Sequence, residues 1–252
     1  MRTIVHLSDL HFGRSEAAVV DACSRAVSEL APDLVVISGD LTQRARRSEF
    51  SAAARFIERL GAPVIATLGN HDLPLYNGLL RVLAPRRGFR RSIGAQTGKT
   101  FADDEIAAIA IDSTLPWRWK GGGLSARSLD EARGFFARRQ HDALAVLAVH
   151  HPVADDRTAQ RLASAGAELC LTGHLHRSHP GTLVGEAAIL AVRAGTISTR
   201  RRGEEHSFNV IVREGPRVTV TTQVWDSSRF VPGSRAVARL DDGRWTLPVA
   251  LG

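Results

Sequence analysis

Five short apolar runs in this chain each end in a tight polar cluster, and those clusters hold six of the ten histidines. The clearest case is residues 63–68, Pro-Val-Ile-Ala-Thr-Leu, followed by Gly69-Asn70-His71-Asp72. An apolar run of that length reads as a buried strand, which puts the tetrapeptide on the loop leaving its C-terminal end. In open α/β sheets that end is where ligands bind. An Asn beside a His offers an amide oxygen and an imidazole, suited to a metal or a phosphoryl group. Gly-Asn alone is ordinary turn chemistry. Repetition of the construction at Asp9-Leu10-His11, Gly39-Asp40, His150-His151-Pro152 and Gly173-His174-Leu175-His176 makes it a constraint on the fold.

Residues 3–8 form the first expected strand, and residues 17–30 show apolar positions at helical spacing. A second strand at 34–38, a helix at 48–60 and the strand before Gly69 complete a βαβαβ series, implying a parallel sheet with helical crossovers. The middle of the chain is less regular. A short helix is expected near 79–83, then a basic run at Arg86, Arg87, Arg90 and Arg91 that reads as a solvated face. Residues 106–111 and 144–149 are buried strands, 117–123 a Trp- and Gly-rich loop, and 157–165 a helix. Ser125 or Ser128 caps the helix after that loop, Ser128 fitting a capping box with Glu131. After the strand at 169–171 the pattern turns all-β, with strands at 189–194, 207–212 and 218–225 and a hairpin over 236–249. The chain reads as one domain over residues 1–252, whose β-rich part from about 185 extends or faces the parallel sheet.

With 252 residues and 44% hydrophobic content, the chain can bury a sizeable core. No apolar run approaches a membrane span, and the first residues enter a strand pattern without a signal-peptide core. Cys23 and Cys170 form no CxxC pair, so a reduced, cytoplasmic protein is expected. The net charge of +7 is almost all Arg and favours anionic substrates or surfaces.

Collected, the strand-end residues are Asp9, His11, Asp40, Asn70, His71, His150, His174 and His176. Imidazole and carboxylate without thiol suit a divalent transition metal better than a zinc finger. The set is too large for one ion, whereas two ions sharing a carboxylate would use it fully. Two metals about 3.5–4 Å apart can clamp the oxygens of an in-line phosphoryl displacement.

DxH at Asp9–His11, GD at Gly39-Asp40, GNHD at Gly69–Asp72, the strand-end His150 and GHxH at Gly173–His176 occur in the order seen in calcineurin-like metallophosphoesterases. The resemblance spans residues 9–176, about two thirds of the chain. Within that superfamily, His-Leu-Ser-Asp-Leu-His at the start, Gly-Asp-Leu-Thr at 39–42 and His-His-Pro at 150–152 are most similar to bacterial class III cyclic-nucleotide phosphodiesterases. The resemblance implies a four-layer α/β/β/α sandwich with the active site at the C-terminal strand ends. It implies one metal held by Asp9, His11, Asp40 and His176 and a second by Asp40, Asn70, His150 and His174, with Asp40 giving one oxygen to each. Mn or Fe is expected first, with Zn, Co and Mg as alternatives. It implies attack by a bridging hydroxide, His71 as general acid, and Asp72 orienting a ligand or His71. His151 competes with His150, because successive strand residues point to opposite faces.

The remaining candidates are weaker. Arg200 and Arg201 lie in a basic run that can approach the cleft and are candidate substrate contacts. His6 reads as a packed or supporting histidine, and His141, His179 and His206 as surface residues. Trp117 and Trp119 read as loop tryptophans packed on the core.

The expected reaction is hydrolysis of a small phosphodiester such as 3′,5′-cyclic AMP. The competing reactions are cleavage of a glycerophosphodiester or an anionic lipid headgroup at a membrane surface, and a nuclease activity. The lipid A pathway pyrophosphatases of the superfamily typically show Arg where His71 stands, which argues against that branch. The nucleases carry further domains, so no stable nucleic-acid complex is expected. A non-catalytic scaffold would have lost ligands, and none is missing. Weak contact with an anionic membrane and self-association are both compatible with the sequence.

Overall fold

The structure is a computed structural model that describes residues 1–153 and 155–247. The first part of the chain alternates strands and helices as its hydrophobic pattern requires: β1 (Arg2–Leu7), α1 (Ala17–Leu30), β2 (Leu34–Ile37), α2 (Arg47–Glu58) and β3 (Val64–Ala66). These three strands are parallel neighbours. Two short helices follow, α3 (Gly78–Leu83) and α4 (Arg87–Ser92), then the strands β4 (Thr100–Ala102) and β5 (Ile106–Ala110). Next come α5 (Ala126–Phe136), β6 (Leu144–Ala148), α6 (Asp156–Ser164) and β7 (Leu169–Thr172). The remainder is all-β: β8 (His179–Val184), β9 (Ile189–Arg193), β10 (Ser207–Glu214), β11 (Arg217–Trp225), β12 (Phe230–Asp241) and β13 (Arg244–Thr246).

Two sheets result. One runs β13-β12-β11-β10-β1-β2-β3 and the other β4-β5-β6-β7-β9-β8. The C-terminal strands therefore extend the first sheet, because β10 pairs antiparallel with the free side of β1. Strand periodicity assigns the layers. In β1 and β2, Ile4, Leu34 and Val36 face the second sheet, where they pack with Val146, Leu171 and Val192. The alternate residues Val5, Leu7, Val35 and Ile37 face the outer helices and pack with Phe50 and Phe56. The outer face of the second sheet packs Ile109 and Leu147 on Phe136 and Leu162 of α5 and α6. The architecture is the expected α/β/β/α sandwich.

The departures from expectation are local. β8 contains Pro180 and Gly181, which argue against a strand, but it is an edge strand, where a missing N–H costs no ladder bond. β4 is likewise a short edge strand. The basic run at Arg86–Arg91 mostly forms α4, anchored by the buried Phe89, and Arg86 is paired with Asp112. Ser125, not Ser128, caps α5, its hydroxyl accepting from Ser128 N at 3.1 Å. The expected hairpin starts earlier and is longer, and its residues 248 and 249 lie outside the described residues. His206 is buried rather than exposed, and Trp117 and Trp119 are exposed rather than packed. Among the described residues no helix is long and apolar enough to cross a membrane.

Trp245 on β13 closes the inter-sheet core, buried to 1% and donating its indole N–H to the Glu168 carbonyl at 2.8 Å. Trp245→Ala removes a large buried aromatic, so it is expected to cost about 3–5 kcal/mol in a urea titration while leaving the strand ends around Asp40 in place.

Candidate metal centre

The strand ends of β1, β2 and β3 in one sheet and of β6 and β7 in the other converge on a single point. Sharp backbone turns make this happen. Asp9, His11, Asp40, His174 and His176 all have left-handed backbone, with φ between 41° and 72°. Such a conformation is uncommon for residues other than glycine, though Asp and His adopt it more readily than bulky residues. It turns each side chain from the end of a strand into the space between the sheets. The neighbouring glycines are needed for close approach. A Cβ at Gly69 would overlap the Asp40 carboxylate, and one at Gly173 would overlap the Ser8 hydroxyl.

Asp9, His11, Asp40 and His176 form one group of ligand atoms, all within 4.8 Å of one another and all buried. Asp40, Asn70, His150 and His174 form an adjoining group. Asn70 Oδ1 lies 3.3 Å from His150 Nε2 and 3.1 Å from His174 Nδ1, and His150 Nε2 lies 3.3 Å from Asp40 Oδ2. Asp40 lies between the two groups. Its Oδ1 accepts the His71 backbone N–H at 2.8 Å. Its Oδ2 faces both groups, 3.6 Å from His11 Nε2 and 3.3 Å from His150 Nε2.

The hydrogen bonds around the cluster set the tautomers. His150 Nδ1 donates to the Ser38 carbonyl at 2.8 Å, and His176 Nδ1 to the Arg200 carbonyl at 2.6 Å. Each ring thus turns an Nε2 lone pair inward. The buried Asp9 Oδ1 has no hydrogen-bond donor. Burial works against the charge on Asp9 and Asp40, yet the surrounding histidines hold both carboxyls below their ordinary range. Burial also opposes a charged His150, and Asp40 overrides it, raising His150 to about 9. Protons and cations therefore compete for the same lone pairs. Two buried carboxylates, an amide oxygen and inward imidazole lone pairs fit divalent cations and have no comparable use without them.

His150 is the inward member of its pair. His151 turns its Nδ1 to Ser113 Oγ at 2.8 Å, and its ring packs beside that of His174, with centroids 4.8 Å apart. His6 is buried against Ser38, its Nε2 2.9 Å from the hydroxyl oxygen. Asp72 hydrogen-bonds to neither a candidate ligand's side chain nor the ring of His71. Its carboxylate accepts from Leu41 N, Thr42 N, Thr42 Oγ1 and Gly69 N at 2.8–3.2 Å. It ties the Asp40 loop to the Asn70 loop, acting through backbone where a side-chain contact was expected. Burial and the Asp40 charge push its carboxyl up to about 7, against the pull of those donors.

His71 is not in either ligand group. Its Nδ1 donates to the Gln43 carbonyl at 2.9 Å, and its Nε2 accepts from Arg200 at 2.8 Å. Burial lowers its pKa below the ordinary value. A cavity of about 400 Å³ opens over Asp40, Asn70, His71 and His174, and its basic wall is Lys120, Arg177, Arg200 and Arg202. Arg201 is not part of that wall and pairs with Glu205 instead. Lys120 and Arg177 carried no sequence signal beyond their charge. Arg202 was adjacent to the right positions, but a loop has no periodicity from which to read direction.

A sequence profile of calcineurin-like phosphoesterases matches residues 2–178. A protein named UDP-2,3-diacylglucosamine pyrophosphatase LpxG, from Chlamydia muridarum, is 41% identical over 76 residues, 29% of this chain and 23% of that one. A protein named probable cyclic nucleotide phosphodiesterase, from Rhodococcus erythropolis, is 27% identical over 216 residues, 72% of this chain and 67% of that one. The match thus spans under a quarter of the first relative's length and about two thirds of the second's. In structure, the purple acid phosphatase PPD1 of yellow lupin superposes with a TM-score of 0.69 at 12% identity, over 96% of this chain and 54% of that one.

The shared Oδ2 makes Asp40→Ala the severest ligand substitution. Asp40→Ala is expected to lose both ions, and Asn70→Ala to keep one of two. Elemental analysis of protein purified in Mn²⁺, with circular dichroism to verify folding, measures this. Gly69→Ala is expected to behave like Asp40→Ala, although it removes no ligand atom.

Proposed function

We propose that this chain, which belongs to the calcineurin-like phosphoesterase family, hydrolyses a small phosphodiester with the help of two divalent cations, its substrate being a 3′,5′-cyclic nucleotide such as cyclic AMP. The observation that carries the proposal is the pair of ligand groups fused at Asp40 Oδ2, with His71 and Arg200 beside them at the mouth of one cavity. The likeness to the Rhodococcus protein, over 72% of this chain and 67% of that one, supports the substrate class.

Asp9, His11, Asp40 and His176 would hold one ion and Asp40, Asn70, His150 and His174 the other. Such a pair, when bound, polarises phosphoryl oxygens and supplies a nucleophile at neutral pH. The chain's own residues do the rest. Lys120, Arg177, Arg200 and Arg202 give the cavity a positive field that draws in an anionic ester. His71 is held by the Gln43 carbonyl so that only Nε2 faces the cavity. That nitrogen takes a proton and delivers it to the leaving alkoxide. Before it does so, Arg200 must release Nε2, and a phosphoryl oxygen entering the cavity offers the guanidinium a charged acceptor in its place.

The diester preference follows from the segment after Asp40. The superfamily's monoesterases carry GDxxDRG there, whereas this chain reads Gly39-Asp40-Leu41-Thr42-Gln43-Arg44-Ala45. Arg44 stacks on Tyr76, 5.2 Å from its ring, instead of entering the site. Cys23 and Cys170 are buried and unpaired, which supports a reducing compartment such as the cytoplasm. Mn or Fe is the favoured metal on ligand chemistry.

A second reading is favoured by the short match to the LpxG protein: cleavage of a lipid-linked pyrophosphate. A screen of Mn-loaded protein against cyclic AMP, glycerophosphodiesters and a nucleotide-linked acylated sugar pyrophosphate separates the two readings.

His71→Ala should lower kcat on a diester with a poor leaving group by about 10²–10⁴-fold, while both metals stay bound. Bis-nitrophenyl phosphate should lose much less, because its leaving group needs no proton; equal losses would remove His71 from the role of acid. With wild-type protein, kcat/KM for bis-nitrophenyl phosphate is expected to exceed that for the nitrophenyl monoester at matched metal and pH. The opposite order would overturn the cyclic-nucleotide proposal.

A further inference from the structure

The largest exposed apolar side chains gather on one face. Tyr76, Leu79, Val82, Leu83 and Trp117 are each 71–77% exposed, and Trp119 is 59% exposed. The first four lie on or just before α3 and the tryptophans on the 117–123 loop, and Arg81 binds the two segments together. Its guanidinium donates to the Pro116 carbonyl at 2.6 Å and the Arg118 carbonyl at 3.1 Å, and lies 5.0 Å from the Trp119 ring. These apolar groups are thus held outward by a buried arginine, which makes them a formed surface rather than a collapsed loop. Patches of this kind on a soluble fold mark interaction sites.

The charge carried by the two segments that form the face has one sign. Residues 73–102 contain five Arg and one Lys and no Asp or Glu, and residues 113–129 contain two Arg and one Lys and again no acid. Arg87, Arg90, Arg91, Arg118 and Lys120 are exposed and form no salt bridge among the described residues. Beside the apolar face, a cavity of about 600 Å³ is lined by Phe50, Leu80, Arg47, Arg87 and Arg91 and by the buried Asp72.

We infer that the face formed by α3, α4 and the tryptophan loop docks this protein on an anionic lipid bilayer, with Leu79, Val82, Leu83, Trp117 and Trp119 entering the headgroup–acyl boundary and Arg87, Arg90, Arg91 and Arg118 meeting the phosphates. Exposed Leu and Val with flanking Trp and an acid-free basic rim is the composition that partitions into an anionic interface. An acidic protein partner would match the charge, but not two tryptophans and three aliphatic residues standing free of any groove. Lys120 belongs both to this face and to the wall of the metal-site cavity, so docking brings the cavity mouth next to the membrane. The inference does not depend on which ester is cleaved.

The test is co-sedimentation with 100 nm vesicles of phosphatidylcholine alone and of phosphatidylcholine with one quarter phosphatidylglycerol, with tryptophan emission read in parallel. The full chain is expected to bind the anionic vesicles only, with a blue shift, and to be released by salt. L79S/V82S/L83S should abolish the binding. R87Q/R91Q should weaken it about 25-fold, roughly fivefold for each basic residue removed. All of these residues are exposed, Arg87 and Arg91 at the cavity rim, and thermal melting of each variant checks that the fold is kept. Equal binding to neutral vesicles, no binding to either, or binding unchanged in both variants would overturn the inference. So would a dimer in sedimentation equilibrium that L79S/V82S/L83S dissociates, because a second copy would then cover the face.

Discussion

The carboxylate of Asp40 is the atom group on which the rest of this structure depends. Its Oδ2 faces both groups of ligands, while its Oδ1 is fixed by the His71 backbone N–H. A free carboxylate could rotate and serve either group. This one cannot, because the loops around it are cross-tied. Asp72 joins the backbone of Leu41 and Thr42 to that of Gly69, and Gly69 in turn leaves no space for a Cβ against Asp40. The Asp that follows His71 in the motif thus shapes the site through the peptide groups of two loops, and the glycine that precedes Asn70 through an absence of volume.

Such a site has to be imposed by its surroundings. Five of the candidate ligands have left-handed backbone. Sparsely populated backbone conformations cost about 1–3 kcal/mol each and persist only where surrounding structure over-determines them. Here two sheets do so. Asp9, Asp40 and Asn70 arrive from the first sheet, and His150, His174 and His176 from the second. The core between the sheets, from Ile4 and Val36 to Val146 and Trp245, is what holds the two halves of the ligand set at bonding distance. The distant aromatic residue at the end of β13 and the metal ligands are parts of one mechanical problem.

Charge is distributed as consistently as strain. The carboxylates that matter are buried at the centre, and basic side chains surround them, with Lys120, Arg177, Arg200 and Arg202 walling the cavity. Beyond the cavity the positive character continues along α4 and the tryptophan loop without an intervening acid. A diffusing anion, small or on a surface, meets the basic wall of the cavity before it reaches the ligand groups.

The alternation of apolar runs with helical spacing was enough to establish the α/β class, and the polar cluster at each strand end was enough to name the candidate ligands that the structure brings together, because a strand that stops in His, Asp or Asn leaves those groups at the end of the sheet whatever the rest does. The glycines of the GD, GN and GH pairs were visible too, although their reason was not. Contacts between residues far apart in the chain decided the rest. Periodicity could not choose between His150 and His151; the choice was made by the Ser38 carbonyl, which lies more than a hundred residues away in the chain and fixes the ring of His150. Charge in a run could not separate Arg201 from Arg200 and Arg202; the pairing of Arg201 with Glu205 did. Hydrophobicity alone suggested that Trp117 and Trp119 would pack inward, but Arg81 lies against the Trp119 ring and ties the loop through the Pro116 and Arg118 carbonyls. Local pattern determined which groups reach the strand ends, since backbone geometry has a short period. Only the tertiary structure decided which way each group turns, since direction at a strand end is set by hydrogen bonds and steric contacts from the opposite sheet.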